Sequence, residues 1–218
     1  MEFFADTANL KDLQELSSMG VIDGCTTNPL IMVKEGNKDH VTQMKAILSL
    51  IKGPVSLEVT TNDLQEMLKQ GRELAAFGKN VVVKVPMNIN GLKAVKIFKE
   101  EGIKTNVTAC MSTKQAILAA KAGATYVSLF WARMEDLGVS AEQIVKETVD
   151  ILRMHNMPTK VIIGSFRQIS HINQALRTGA HVLTIPPQFL YEMSYHPRTE
   201  STIQEFLDKW EAFKKGEQ

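Results

Sequence analysis

Short apolar runs alternate along this chain with longer stretches in which apolar residues recur every three or four positions. The short runs are rich in Val, Ile and Thr, which is typical of buried parallel strands, and the longer stretches have the period of amphipathic helices. Eight strands are predicted, at Phe3–Ala5, Gly24–Thr27, Val55–Val59, Val81–Val85, Thr105–Thr108, Tyr126–Phe130, Lys160–Gly164 and Val182–Ile185. Helices are predicted at Asn9–Met19, Asn62–Phe77, Asn90–Glu101, Thr113–Lys121, Ala141–His155, Ile169–Arg177 and Glu200–Lys215.

A strand–helix unit repeated eight times predicts a parallel sheet. The first strand is not followed by a Gly-x-Gly-x-x-Gly motif, and this disfavours an open doubly wound sheet. We therefore expect an α/β protein with one domain over residues 1–218, a (β/α)₈ barrel near the short end of the usual size range. Glycines that follow or end helical stretches are expected to be left-handed caps, at Gly78, Gly102, Gly123 and Gly179.

The last predicted helix, at about residues 200–215, is an addition to the barrel pattern. It carries Phe206, Trp210 and Phe213 on one face. That face could pack on its own barrel or on a neighbouring subunit.

Charge and cysteine content indicate which classes of binding partner and which cellular location to expect. Lys+Arg total 25 and Asp+Glu total 24, so the formal net charge is +1. We expect no nucleic-acid or membrane binding from so little bulk basicity, but a few placed cations could still bind a small anion. Cys25 and Cys110 are too few for a disulfide framework, and no signal peptide or apolar run of roughly 20 residues is evident. A cytoplasmic location is the simplest expectation.

In a (β/α)₈ barrel the functional residues lie at the carboxyl ends of the strands. The polar residues expected there are Asp6, Thr26, Thr27, Asn28, Glu58, Lys84, Asn106, Thr108, Ser128, Arg133, Ser165 and Arg167.

Lys84 is the most unusual of these residues because it lies within the apolar run Val81–Pro86. Lysine is rarely buried without a partner, and loss of solvation favours the neutral, nucleophilic form of an amine. A lysine at a strand end paired with a carboxylate explains the pattern equally well. The accompanying polar residues favour catalysis.

Two carboxylates and a threonine could assist such a lysine. Asp6 ends the first strand and could act as a general acid/base, although an N-cap of the next helix is the simpler explanation for an isolated Asp. Glu58 and Thr108 could be satisfied polar residues of the barrel core, or could hold a water that carries protons to and from Lys84.

Arg133, Ser165 and Arg167 follow the sixth and seventh strands, and this combination suits a phosphate dianion. A surface salt bridge is the alternative for either arginine. The five histidines show no metal-ligand spacing, so no metal is expected, and a zinc-dependent aldolase is disfavoured.

Several short motifs, taken together and in their order along the chain, make this sequence resemble the small transaldolase family, which includes the fructose-6-phosphate aldolases. The likeness covers essentially the whole chain. It rests on residues 4–9 (FADTAN), 26–29 (TTNP), 83–86 (VKVP), 91–94 (GLKA), 102–108 (GIKTNVT) and 122–128 (AGATYVS).

The resemblance implies a barrel enzyme without a cofactor, acting on sugar phosphates through a lysine Schiff base. It makes Lys84 the Schiff-base lysine, Asp6 the acid/base, and Glu58 and Thr108 the residues that hold the catalytic water. Other residues match groups that bind substrate, with Thr26 beside them: Asn28, Asn106 and Ser128 for the dihydroxyacetone portion, and Arg133, Ser165 and Arg167 for the phosphate. Relatives in the family tend to form pentamers or decamers, so a homo-oligomer is expected.

Phe130 and Glu58 favour the transaldolase branch, because the aldolases of the family tend to carry Tyr and Gln there. The expected reaction moves a dihydroxyacetone unit from fructose 6-phosphate or sedoheptulose 7-phosphate to an aldose phosphate, in the pentose phosphate pathway. The alternatives are a fructose-6-phosphate aldolase that releases dihydroxyacetone and a non-catalytic sugar-phosphate-binding barrel. Leu129, Trp131-Ala132, Met111-Ser112 and an additional proline in Pro186-Pro187 depart from the family pattern.

Overall fold

The computed structural model describes residues 1–36 and 39–216. The chain consists of two compact units, Met1–Pro187 and Gln188–Gln218. In the first unit, eight parallel strands pair in sequence order and the last pairs with the first, so the sheet is closed. The predicted (β/α)₈ barrel is therefore confirmed, whereas the assignment of one domain to residues 1–218 stays a prediction.

The strands match the predicted runs closely. Their bounds are β1 (Glu2–Asp6), β2 (Gly24–Thr26), β3 (Val55–Glu58), β4 (Val81–Pro86), β5 (Thr105–Cys110), β6 (Tyr126–Phe130), β7 (Lys160–Gly164) and β8 (Val182–Ile185). Most of their residues are buried on both faces, because the helices cover the outside and side chains fill the inside.

The helices of the first unit surround this sheet. They are α1 (Leu10–Ser18), α2 (Pro29–Lys34), α3 (His40–Leu50), α4 (Leu64–Ala75), α5 (Ile89–Glu100), α6 (Thr113–Ala122), α7 (Trp131–Asp136), α8 (Ala141–Met154) and α9 (Ile169–Ala175). Several begin at an Asn, Asp or Ser whose side chain accepts a backbone N–H, as Asn88 does from Gly91 at the start of α5. Gly71 lets α4 approach α5, since a Cβ there would lie 2.2 Å from a ring carbon of Phe98.

Three helices of the barrel unit, α2, α3 and α7, lie outside the predicted set. In α3 only Gln43 and Ile47 are buried, so no continuous apolar stripe marks the helix in the sequence. Helix α2 follows the start signal Asn28-Pro29, and α7 has six residues and no side-chain cap. The prediction of a left-handed cap was wrong for Gly78, whereas Gly102, Gly123 and Gly179 do have positive φ.

The second unit contains most of α10 (Pro187–Ser194), which was not predicted, and all of α11 (Pro197–Lys214). None of the residues of α11 is buried, and its predicted aromatic face is exposed at Phe206, Trp210 and Phe213. Trp210 stacks on Phe213 with ring centroids 5.6 Å apart. In the described part of the chain, no helix is both long and apolar enough to cross a membrane.

Candidate active site

An apolar layer inside the barrel forms the floor of the site. Phe4, Val82, Tyr126, Ile162 and Val182 are buried together, and Phe4 meets Tyr126 edge to face at a centroid distance of 6.3 Å. Side chains on a strand alternate between its two faces, so the residue two positions further along each of these strands also points inward.

Those next inward residues are polar or lack a side chain, and all of them line one cavity. They are Asp6, Lys84, Ser128, Gly164 and Thr184. The cavity has a volume of about 140 Å³ and is also lined by Thr26, Asn28, Phe130, Arg133 and Ser165. The alternation that makes β4 apolar therefore also directs its one lysine into the polar end of the barrel.

Lys84 is 5% exposed, and its amine contacts one oxygen atom on β3 and another just after β2. Its Nζ is 3.1 Å from Oε2 of Glu58 and donates a hydrogen bond of 3.2 Å to the carbonyl oxygen of Thr27. The register of β3 and β4 places Glu58 directly opposite Lys84. Lys84 is thus paired with a carboxylate, as one of the two sequence interpretations expected, and it also borders the cavity. An ammonium group has three donors, so these contacts leave one for the cavity.

Asp6 lines the cavity, which Glu58 does not, and is held by a chain of hydroxyl groups. Thr26 Oγ1 donates a 2.7 Å hydrogen bond to Asp6 Oδ1 and lies 2.5 Å from Thr184 Oγ1. Because the Thr26 proton goes to the carboxylate, Thr184 is the donor in the second bond. Helix α1 is capped by Asn9, so the N-cap explanation for Asp6 was wrong.

The surroundings of Asp6 change the pKa of its carboxyl group. Burial raises the pKa of Asp6 above its usual value, and the charge of Lys84 and the hydrogen bond from Thr26 lower it in part. The nearby carboxylate of Glu58 raises it further. A carboxyl group whose pKa is moved towards neutrality is suited to general acid/base chemistry.

The amide and hydroxyl groups on β5 and β6 form a second buried chain. Asn106 donates to Ser56 Oγ at 3.2 Å and accepts from Ser128 Oγ at 2.8 Å. Asn106 supports Ser128 from behind, because only Ser128 lines the cavity. Thr108 Oγ1 is buried without a hydrogen-bond partner in the described chain, and Thr108 is not among the residues that line the cavity.

The three residues expected to bind phosphate do not all meet. Arg133 and Ser165 border the cavity, and Ser165 has a φ of +62°, which is costly for a residue other than glycine. Arg167 instead forms an exposed ion pair with Asp136, at 2.8 Å. Its assignment to the phosphate site stays a prediction, and that role would require the side chain to leave Asp136.

Glu58 lines a second, larger cavity of about 410 Å³, between α2, α3 and α4, and Asn28 lines both cavities. Pro29, Met32 and Phe77 are among its apolar lining residues. Of the two cavities, the smaller one is the better candidate for the site, since it combines Lys84, Asp6 and Arg133.

Thr184 and Gly164 border the site but were missing from the sequence prediction. Thr184 is the single polar residue of β8 and follows Val182 by two positions, so the alternation of β8 could have identified it. Gly164 leaves room for Thr184, because a Cβ there would lie 2.9 Å from the Thr184 methyl group. Within residues 1–36 and 39–216, no cluster of three or more His, Cys, Asp or Glu could hold a metal ion.

Comparison with known proteins identifies similar sequences over nearly the whole chain. The sequence model of a family described as Transaldolase/Fructose-6-phosphate aldolase matches residues 3–217. A "Probable transaldolase" of Shouchella clausii (strain KSM-K16) is 45% identical over 210 residues, covering 96% of this chain and 97% of the relative. Proteins of the same name from Thermoanaerobacter sp. (strain X514) and Halalkalibacterium halodurans are 43% and 44% identical over 210 residues, covering 96% of this chain and 97% and 99% of the relatives.

Proposed function

The chain belongs to the transaldolase/fructose-6-phosphate aldolase family, and from this premise we propose that it is a transaldolase that acts through a Schiff base on Lys84. The observation that carries the proposal is the position of the Lys84 amine, between the Glu58 carboxylate and a cavity that also holds Asp6. The proposed donors are fructose 6-phosphate and sedoheptulose 7-phosphate, and the acceptor is an aldose phosphate, as in the pentose phosphate pathway.

The first stage joins Lys84 to the ketose. The neutral amine attacks the C2 carbonyl carbon and gives a carbinolamine, which loses its hydroxyl group as water to become an iminium ion. Glu58 is close enough to take a proton from Lys84, because 3.1 Å separates the two groups. We assign to Glu58 and the unpaired hydroxyl of Thr108 the water that carries protons in this stage.

In the second stage the C3–C4 bond breaks. Asp6 removes the proton of the C4 hydroxyl, the C4–O bond becomes a carbonyl, and the C3–C4 electron pair moves to the iminium nitrogen. The products are an aldose phosphate and an enamine on Lys84. A second aldose phosphate then reacts by the reverse of these steps, so no oxidant, metal or cofactor enters the balance.

Substrate binding is assigned to the rest of the lining. Thr26, Asn28 and Ser128, with Asn106 behind Ser128, would hold the hydroxyl groups of the three-carbon unit. Arg133 and Ser165 would hold the phosphate, with Arg167 joining after it separates from Asp136.

Phe130 favours transfer over release of dihydroxyacetone. Its ring borders the cavity and has no hydroxyl group with which to hold a water near the enamine. An enamine that is not protonated persists until an aldehyde accepts it. Fructose-6-phosphate aldolase remains the second candidate because the family includes it, and acceptor-independent release of dihydroxyacetone would favour that activity.

Borohydride reduction in the presence of fructose 6-phosphate tests the lysine directly. We expect a three-carbon adduct on the Lys84 peptide, detected by mass spectrometry. Lys160 is the internal control, since it also lies on a barrel strand beside a carboxylate, 2.6 Å from Glu2. An unmodified Lys84, or equal labelling of Lys84 and Lys160, would contradict the proposed chemistry.

A further inference from the structure

Helix α7 carries Arg133 to the cavity but has little stability of its own. It contains six residues and begins at Trp131, directly after the last residue of β6, Phe130, which provides no side-chain cap. A helix of this length is not stable in isolation. The position of the Arg133 guanidinium must therefore depend on contacts between α7 and its neighbours.

Glu135 makes two of these contacts. One of its carboxylate oxygens accepts a 2.9 Å hydrogen bond from the indole Nε1 of Trp131, and the other lies 3.1 Å from Nε2 of His171 on α9. Trp131 is completely buried and its ring lies 6.4 Å from the His171 ring. Glu135 thus fixes the first turn of α7 and ties the helix to α9.

Within the part of the chain that the structure describes, the side chain of His171 makes no other hydrogen bond that would explain its burial. The residue is 5% exposed, and its Nδ1 has no hydrogen-bond partner in the described chain. The tautomer with its proton on Nε2 makes the contact with Glu135 and leaves only an acceptor unpaired at Nδ1. Burying an unpaired polar atom carries a cost, so the contact with Glu135 is the interaction that accounts for this orientation of the ring.

Helix α7 also contacts the loop that follows β7, through Ala132 and Trp131. The backbone N–H of Ala132 donates to the carbonyl oxygen of Ser165 at 3.3 Å, and the Trp131 ring packs against Phe166 at 6.4 Å. Ser165 is the residue held at positive φ beside the cavity. The two segments that present Arg133 and Ser165 are therefore held to each other from behind the site.

We propose that Trp131, Glu135 and His171 form a phosphate-site clamp, which sets the distance between Arg133 and Ser165 so that together they bind the phosphate of the substrate. This inference rests on the proposed function. The clamp residues are positioning residues, since none of them lines the cavity. Their loss should weaken binding of phosphorylated substrates and leave the chemistry at Lys84 unchanged.

The test compares fructose 6-phosphate with fructose as donors, with glyceraldehyde as a common unphosphorylated acceptor. In Glu135→Ala and Trp131→Phe we expect the KM for fructose 6-phosphate to rise about tenfold, as for the loss of one well-placed contact, with kcat within about twofold of the wild type. The kcat/KM for fructose should change less than about twofold. Glu135 is partly exposed, so its replacement leaves the core packing intact. Glu142→Ala, which removes a comparable exposed ion pair on α8, is the control and should behave as the wild type.

Equal losses with both donors, or an unchanged KM for fructose 6-phosphate, would overturn the clamp. If the wild type turns over neither donor, the proposed function fails and the clamp is judged by binding alone. Inorganic phosphate is then titrated against the fluorescence of Trp131 in a Trp210→Phe background, where Trp131 is the remaining tryptophan. About tenfold weaker binding in Glu135→Ala supports the clamp, and equal affinity or no binding in the parent overturns it.

Discussion

Replacing Thr26 by Val isolates the hydrogen bond that controls the ionisation of Asp6. Thr26 is 2% exposed and its hydroxyl donates to Asp6 Oδ1 at 2.7 Å. Val has nearly the shape of Thr without the donor, so the change removes this bond and leaves the packing of β2 in place. Thr184 loses its acceptor in the same step.

The size of the effect follows from the bond. A length of 2.7 Å is within the range of a hydroxyl bound to an ionised carboxylate, and such bonds contribute roughly 1.5–3 kcal/mol. One pKa unit corresponds to about 1.4 kcal/mol, so loss of the bond should raise the pKa of Asp6 by about 1–2 units. This adds to the increase that burial already causes.

The assay is the pH dependence of kcat/KM with fructose 6-phosphate as donor and erythrose 4-phosphate as acceptor. Asp6 must be ionised to accept the C4 proton, so activity falls as the pH drops through its pKa. The acid limb should move to higher pH by about 1–2 units in Thr26→Val. Thr26→Ser keeps the donor and should keep the wild-type limb. An acid limb that is unchanged in Thr26→Val, or that moves equally in both variants, would refute the assignment of Asp6 as the base.

Three further results are expected. Burial raises the pKa of Asp6 in the folded chain, so the wild type loses stability as the pH rises through that pKa. Asp6→Asn should therefore have the higher free energy of unfolding at pH 7 and lose this advantage near pH 4, as measured by urea unfolding. Phe130→Tyr should increase acceptor-independent release of dihydroxyacetone severalfold, whereas Phe130→Leu should not, and equal release would count against the role given to Phe130. Replacing Trp210 by Ser in the exposed face with Phe206 and Phe213 should weaken a homo-oligomer, as measured by light scattering, and a wild-type monomer would contradict the expected assembly.

The strands were predictable because a parallel barrel strand is buried on both faces and is therefore a continuous apolar run. Three predicted strands, among them Tyr126–Phe130, coincide with the structure at both ends. The helices differ more, because end residues are set by caps and short helices carry no complete apolar stripe. Helix α3 has 11 residues and lacks an apolar stripe for another reason, since one of its buried residues is the polar Gln43, which donates to the carbonyl of Ala8.

The candidate site divides in the same way. Asp6, Lys84 and Ser128 were expected at the carboxyl ends of their strands, and the structure brings these three to one cavity. Arg167 lies after a strand, on a loop whose direction depends on tertiary contacts, and its pairing with Asp136 has no local signal in the sequence. Thr184 was missed because a lone Thr in an apolar strand is usual for β structure.

The two carboxylates beside Lys84 differ in what they can reach, and this difference supports separate roles. Glu58 is in direct contact with the Lys84 amine and lines the larger cavity of about 410 Å³. A water or proton that reaches Glu58 from that cavity need not cross the substrate. Asp6 lines the inner cavity with Arg133 and Ser128, where a sugar phosphate would lie extended from Lys84. Of the two carboxylates, Asp6 is therefore the one placed to meet the hydroxyl group on C4, the far carbon of the C3–C4 bond that breaks in the proposed mechanism. In the proposed mechanism Glu58 then serves the formation and hydrolysis of the Schiff base, where protons move to and from the Lys84 side of the substrate.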